Sequence, residues 1–325
     1  MTTIFMFPGQ SSRYPGMLDK LCELHPANHD LLGWASDLLG RDLRRHYSGE
    51  PDDSGSNAEL EDPFARNVDV QVGVFLANHM YLRALEAHGV RAELSLGLSL
   101  GEWNHIVHIG ALPFDQALRA VEQRGLLYDQ GPRGWMAAIQ PIAEHDLCEV
   151  VEQASERGVL EIVNFNSPRQ FVIAGEQAAV EYAAELAEHE HFAQSHVIER
   201  QVPMHSSIFA PVAERFTAYL NTLDFQAPER PWLANRRGGF VEAPTQADFV
   251  ELLGEHVCQP VYWRQSIDAV VAREPEAVFV EVGPMAVLHN LLHRKWHANR
   301  KFRTDDRDAA GEHFAGLVAG LRMVG

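Results

Sequence analysis

Cysteine is scarce. The chain has three, Cys22, Cys148 and Cys258, widely separated and in none of the paired spacings that bind zinc or staple a small secreted domain. A disulfide framework is excluded, and a reducing cytoplasm fits best. Basic residues are in deficit: 27 Lys and Arg stand against 45 Asp and Glu, a net charge of −18. Such a surface repels nucleic acid and anionic membranes unless a basic patch is concentrated locally. Long apolar runs are missing too, and no segment reaches the roughly 18 apolar residues of a membrane span. The opening residues, Met1-Thr-Thr-Ile-Phe-Met-Phe-Pro8, lack a basic flank and a long apolar stretch. They read as a buried first strand, not a signal peptide.

What is present is a chain of 325 residues with 46% hydrophobic and 22% charged side chains. That length suits one large domain carrying an insertion, or two domains. Ile4–Phe7 is a short apolar run stopped by Pro8-Gly9. Residues 16–40 place leucines at helical spacing. The acidic, breaker-rich stretch 47–63 reads as an exposed loop. Residues 68–88 form a helix candidate with Val72, Phe75, Leu76, His79 and Leu82 on one face. Leu94–Gly97 is a short strand, and the chain from Glu102 is again helical.

The rhythm changes over 134–201. Trp135–Gln140 reads as a strand and Ala143–Arg157 as a helix. Leu160–Asn164 and Gln170–Ala174 are strands joined by a turn, Gln177–His189 is a helix, and His196–Arg200 is a last strand. The order β-α-β-β-α-β is that of a ferredoxin-like subdomain. The expected architecture is therefore α/β, with residues 1–133 and 202–325 forming the large domain and 134–201 inserted into it. In the large domain Trp232–Asn235 reads as a strand, and Ala277–Glu281 as a central parallel strand.

One motif carries chemistry. Gly97-Leu98-Ser99-Leu100-Gly101 is Gly-x-Ser-x-Gly between a strand and a helical stretch. A serine in that tight turn is exposed at a helix N-terminus, where backbone N–H groups can stabilise an oxyanion. The alternative is a plain glycine-rich turn. Ser99 needs a base, and 17 histidines make abundance useless as a guide. His105 and His108 sit at i and i+3 on the following helix with no further metal-type spacing, and read as ordinary helix residues. His205, after Val202-Pro-Met204, follows a strand and precedes a helix. Loops of that kind present catalytic groups.

Taken together, the motifs resemble the acyltransferase family of malonyl-CoA:acyl-carrier-protein transacylases and polyketide synthase acyltransferases. The resemblance rests on Phe5-Met-Phe-Pro-Gly-Gln10, Asp69-Val-Gln71, Gly97–Glu102, Gln123-Arg124-Gly125, Asn164-Phe-Asn-Ser-Pro168, Val172-Ile-Ala-Gly175, Pro203-Met-His205, Gln259-Pro-Val-Tyr-Trp263 and Glu281-Val-Gly-Pro284. It implies an α/β-hydrolase-like core with a parallel sheet and an active site in the cleft beside the insertion. It makes Ser99 the nucleophile, His205 the base, and a carbonyl near His256 the group that orients His205. The Gln10 and Leu100 N–H groups become the oxyanion hole. Arg124 becomes the ligand of a malonyl carboxylate, a helix-end salt bridge being its other reading. Gln71, Leu98 and Met204 border the substrate.

The resemblance further implies that no cofactor is bound, because the phosphopantetheine thioester arrives with the substrate, and that the partner is an acyl carrier protein. The chain departs from the family pattern at Leu98, where histidine is usual, at Ser11 and Arg13, and at Met204, where malonyl enzymes usually carry Phe. These changes favour carrier-to-carrier transfer of an aminoacyl or dipeptidyl group. Malonyl transfer, which Arg124 favours, and hydrolysis of stalled chains stay open. The basic run with Arg294, Lys295, Arg300, Lys301 and Arg303 is the candidate carrier-docking face, or else a solvated face balanced by Asp305, Asp306 and Asp308.

Overall fold

A computed structural model describes residues 1–48, 62–292, 296, 300–307 and 310–324. Most of the expected 47–63 loop, and Arg294 and Lys295, lie outside the described residues. The chain divides into two compact units. The first comprises Met1–Leu126, Pro228–Arg230 and Glu276–Gly325, the second Leu127–Ala227 and Pro231–Pro275.

The first unit is built on a parallel sheet. Its strands are β1 (Thr3–Phe7), β2 (Leu94–Gly97), β9 (Val278–Glu281) and β10 (Lys301–Arg303), in the order β10-β9-β1-β2. β2 and β9 are buried along their whole length, and β1 from Ile4 onward. Continuous burial, without alternation, is what a strand covered on both faces shows. The register sets Phe7 beside Gly97, and Met6 beside Glu281. The three following loops, from Pro8, Leu98 and Val282, therefore leave the same end of the sheet, where open α/β sheets carry their chemistry.

Pro26 splits the helical spacing of 16–40 into Met17–Leu24 and Ala27–Leu39. His25 before it is extended, as a residue preceding proline prefers. The helix Asn67–Ala87 buries nearly every residue from Asn67 to Leu85. The expected face is present, but the opposite side is covered as well.

The second unit holds an antiparallel sheet of β3 (Trp135–Gln140), β4 (Leu160–Ser167), β5 (Gln170–Gly175) and β6 (Gln194–Glu199), in the order β4-β5-β3-β6. With the helices Glu144–Ala154 and Gln177–His191 the order along the chain is β-α-β-β-α-β. Alternate residues Ala137, Ile139, Phe171 and Ile173 face Leu147, Val150, Val180 and Ala183 in one core. The unit is wider than the 134–201 span read from the sequence. Backbone bonds explain the difference. Phe165 donates to the Val261 carbonyl at 3.0 Å, and Val261 donates to Val163 at 2.9 Å. Trp232–Ala234 (β7) pairs with Gly239–Val241 (β8) as a separate two-stranded sheet in this unit. The helices Ala210–Leu220, Gln246–Glu255 and Trp263–Arg273 complete it.

Candidate active site

β2 ends at Gly97 and the chain turns sharply. Ser99 has φ 52°, in the left-handed region that costs an L-residue roughly 1–2 kcal/mol. The turn closes through Gly101 N–H to Leu98 O at 2.9 Å and Glu102 N–H to Ser99 O at 3.0 Å, and the helix Gly101–His108 begins. Both glycines are obligatory. A Cβ on Gly97 would overlap the Gly101 carbonyl, and one on Gly101 would overlap the Phe7 carbonyl. Leu98 and Leu100 are buried on either side of the serine.

The loop after β1 closes over this turn, since a Cβ on Gly9 would stand 2.9 Å from Leu98 O. Ser12 N–H donates to Gly9 O at 3.0 Å, and the Arg13 guanidinium donates to Gln10 O at 2.9 Å. Arg13, one of the departures from the family pattern, thus fixes the Gln10 peptide. Among the described residues, no hydrogen bond is found for the N–H of Gln10 or of Leu100. A buried amide pair, absent from the sequence reading, clamps the same loop. Asn78 Nδ2 donates to Pro8 O at 3.0 Å and to Asn104 Oδ1 at 2.9 Å, and Asn104 donates to Phe75 O at 3.0 Å. The signal available was an amide inside the apolar run Phe75-Leu-Ala-Asn78, a type seldom buried without a partner.

Arg124 lies within the helix Phe114–Asp129 and is 1% exposed. Its guanidinium donates to Oε1 of Gln71, itself fully buried, at 2.8 Å. Gly125 brings this helix against the helix Asn67–Ala87, because a Cβ there would overlap Cα of Val68 and stand 3.0 Å from its nitrogen. The two sequence-predicted residues Gln71 and Arg124 are therefore brought together by a helix crossing. His105 and His108 share the Ser95 hydroxyl at 2.7 and 2.8 Å. Burial holds the first down to about 3 and the second to about 4, so both are neutral core groups. Among the described residues no group of three or more His, Cys, Asp or Glu is arranged to hold a metal ion, and no helix is long and apolar enough to cross a membrane.

In the second unit His205 is 2% exposed and has φ 64°. Its N–H donates to Val257 O at 3.0 Å. Its Nδ1 lies 2.6 Å from the His256 carbonyl, and the two rings stack with centroids 4.9 Å apart. A carbonyl only accepts, so Nδ1 carries the proton in this pair. Met204 beside it is buried.

The basic run is partly tied down. Lys301 Nζ donates to His289 O at 2.8 Å, Arg303 pairs with Asp306 at 2.8 Å, and the Arg300 guanidinium meets the Met1 sulfur.

The acyl transferase domain family matches residues 4–313. The malonyl CoA-acyl carrier protein transacylase of Bacillus subtilis (strain 168) is 30% identical over 304 residues, which is 92% of this chain and 91% of that protein. The polyketide biosynthesis protein PksE of the same organism is 27% identical over 292 residues, 89% of this chain and 36% of that protein. Among solved structures, the malonyl CoA-acyl carrier protein transacylase of Clostridium perfringens is similar with a TM-score of 0.87 and 26% identity, covering 100% of this chain and 98% of that one. A family match over nearly the whole length, on the parallel-sheet α/β fold of a solved transacylase, establishes that this chain belongs to the acyl transferase domain family.

Proposed function

We propose that this enzyme moves a malonyl-type acyl group from a thioester, through an ester on Ser99, to the phosphopantetheine thiol of an acyl carrier protein. The observation that carries the chemistry is the Ser99 turn, with its strained serine, its two obligatory glycines and the Gly9 loop packed against it. Nε2 of His205 takes the hydroxyl proton as Oγ attacks the thioester carbonyl. The Gln10 and Leu100 N–H groups hold the oxyanion, each such donor being worth about 3–4 kcal/mol in the transition state. Collapse expels the thiolate, which takes the proton from His205. The carrier thiol then repeats the sequence in reverse and frees Ser99. No bound cofactor takes part.

The malonyl assignment draws on the relatives' names and on the Gln71–Arg124 pair, since a guanidinium fork held in one orientation suits a carboxylate. Leu98 and Met204, both apolar and buried, favour a second reading, carrier-to-carrier transfer of an aminoacyl or dipeptidyl group. The sheet order β4-β5-β3-β6 supports a ferredoxin-like subdomain, and the basic run supports docking of an acidic carrier.

Intact-mass spectrometry after incubation with malonyl-CoA, and separately with aminoacyl- and dipeptidyl-loaded carriers, tests the reading. A malonyl adduct that disappears in Ser99→Ala is expected. An adduct only from a loaded carrier would replace malonyl transfer by the second reading. An adduct released to water faster than to carrier would make the enzyme a hydrolase.

A further inference from the structure

We propose that Glu161 is a positioning residue for His205, its carboxylate clasping Ser207 and so holding the histidine loop in the orientation that proton transfer at Nε2 requires. The inference rests on the base role of His205 proposed above. The Ser207 N–H donates to Glu161 Oε2 at 3.0 Å, and its hydroxyl donates to Oε1. Two hydrogen bonds to one carboxylate fix direction as well as distance. Ser207 opens the turn Ser207–Phe209, which runs into the helix Ala210–Leu220. A carboxylate at such an N-terminus is in a favourable field.

Glu161 stands on β4, and the same strand grips the segment that orients the imidazole from its other side. Val261 is bonded to both Val163 and Phe165, a few residues after the His256 carbonyl that receives Nδ1. Cys258 feels the arrangement. Burial raises its thiol pKa first, and the Glu255 and Glu161 carboxylates add to the rise. One strand thus ties down both segments that define the ring. Within the loop, Ser206 Oγ donates to Pro203 O at 2.6 Å and closes the turn. Between these anchors His205 is held at φ 64°, a conformation that persists only where its surroundings over-determine it. Released at Ser207, the residue has an easier backbone conformation to fall into.

The full chain is used for the test. Single-turnover formation of the Ser99 ester from malonyl-CoA, followed by quenched intact-mass spectrometry, yields a maximal rate and a half-saturating concentration. Glu161→Ala is expected to lower the maximal rate about tenfold, the scale of a slightly misplaced catalytic group, with half-saturation changed by less than about twofold. Glu161→Gln can accept the Ser207 N–H and donate to its hydroxyl, so it is expected to recover the rate to within about threefold. Ser207→Ala, which keeps the N–H bond, is expected to fall between the two.

Hydrogen exchange over residues 203–209 is measured in parallel without substrate. It is expected to speed up about tenfold in Glu161→Ala and to stay unchanged across the parallel sheet. A wild-type rate in Glu161→Ala overturns the proposal, as does a Glu161→Gln chain that recovers nothing. If Glu161→Ala does not fold, Ser207→Ala and Glu161→Gln decide, and wild-type rate and exchange in both overturn the clasp. If the wild-type chain forms no Ser99 ester, the functional reading falls instead. Exchange then decides alone, unchanged protection overturning the clasp.

Discussion

Ser99 and His205 both occupy the left-handed backbone region, at φ 52° and 64°. Glycine adopts that region freely, whereas a side-chain-bearing residue stays there only if its neighbours compel it. At Ser99 the compulsion comes from Gly97 and Gly101, whose missing Cβ atoms let two backbone segments meet. At His205 it comes from Val257 O and the turn that Ser206 closes. In both cases the backbone aims the side chain. Arg124 is aimed differently, by the amide of Gln71. Gln71→Leu removes that acceptor from a buried guanidinium. Hydrogen bonds to charged groups are worth about 1.5–3 kcal/mol, so kcat/KM for malonyl-CoA should fall about 10–100-fold. The loss should be several-fold smaller for acetyl-CoA, which has no carboxylate. Equal losses for the two thioesters would remove Arg124 from carboxylate recognition.

At the scale of elements, the crossing of Asn67–Ala87 with Phe114–Asp129 depends on Gly125. Gly125→Ala must push backbone from backbone at Val68 and should destabilise by about 1–3 kcal/mol, read as a lower denaturation midpoint. Gly33, within the helix Ala27–Leu39, has open space where its Cβ would lie. There the same substitution should stabilise by about 0.5–1 kcal/mol. A reversed order of the two midpoints would contradict the packing.

These elements also show what a sequence exposes. β1 and β9 were legible because a parallel strand covered on both faces is an uninterrupted apolar run, and the Gly97–Gly101 turn because its spacing is local. The helix Asn67–Ala87 was legible as a helix, but its burial on all sides was not, since that depends on partners distant in the chain. The Asn78–Asn104 clamp and the Glu161–Ser207 clasp join positions 26 and 46 residues apart. No periodicity announces such pairs. The limits of the second unit escaped for the same reason, because Val261 joins β4 only once both are folded.

At the scale of the whole molecule, buried titratable groups set the response to acid. Burial holds His79 and His105 down to about 3 and His108 to about 4, against an ordinary value of 6.5. Between these values the unfolded chain binds protons that the folded chain refuses, so stability falls as pH drops below 6.5. Glu281 works in the opposite sense. Burial raises it from 4.5 to about 7, and its contribution is lost as pH rises through that range. Three imidazoles outweigh one carboxyl. Urea denaturation at successive pH values should therefore show stability decreasing from pH 6.5 to 4.5, with a shallower decrease in His79→Leu. A flat or rising profile would mean that these histidines are not buried neutral.

The parallel sheet has one more consequence, for the order in which the molecule is made. Its strand β1 leaves the ribosome long before β9, which covers one of its edges and begins at Val278. At about 5–20 residues per second, Ile4–Phe7 waits roughly 15–55 s for that partner. The antiparallel strands β3–β6, contiguous in the chain, are complete well before then. The nascent protein therefore carries a complete antiparallel sheet while its first unit still presents an open apolar strand edge, the feature on which chaperones act and from which aggregation starts.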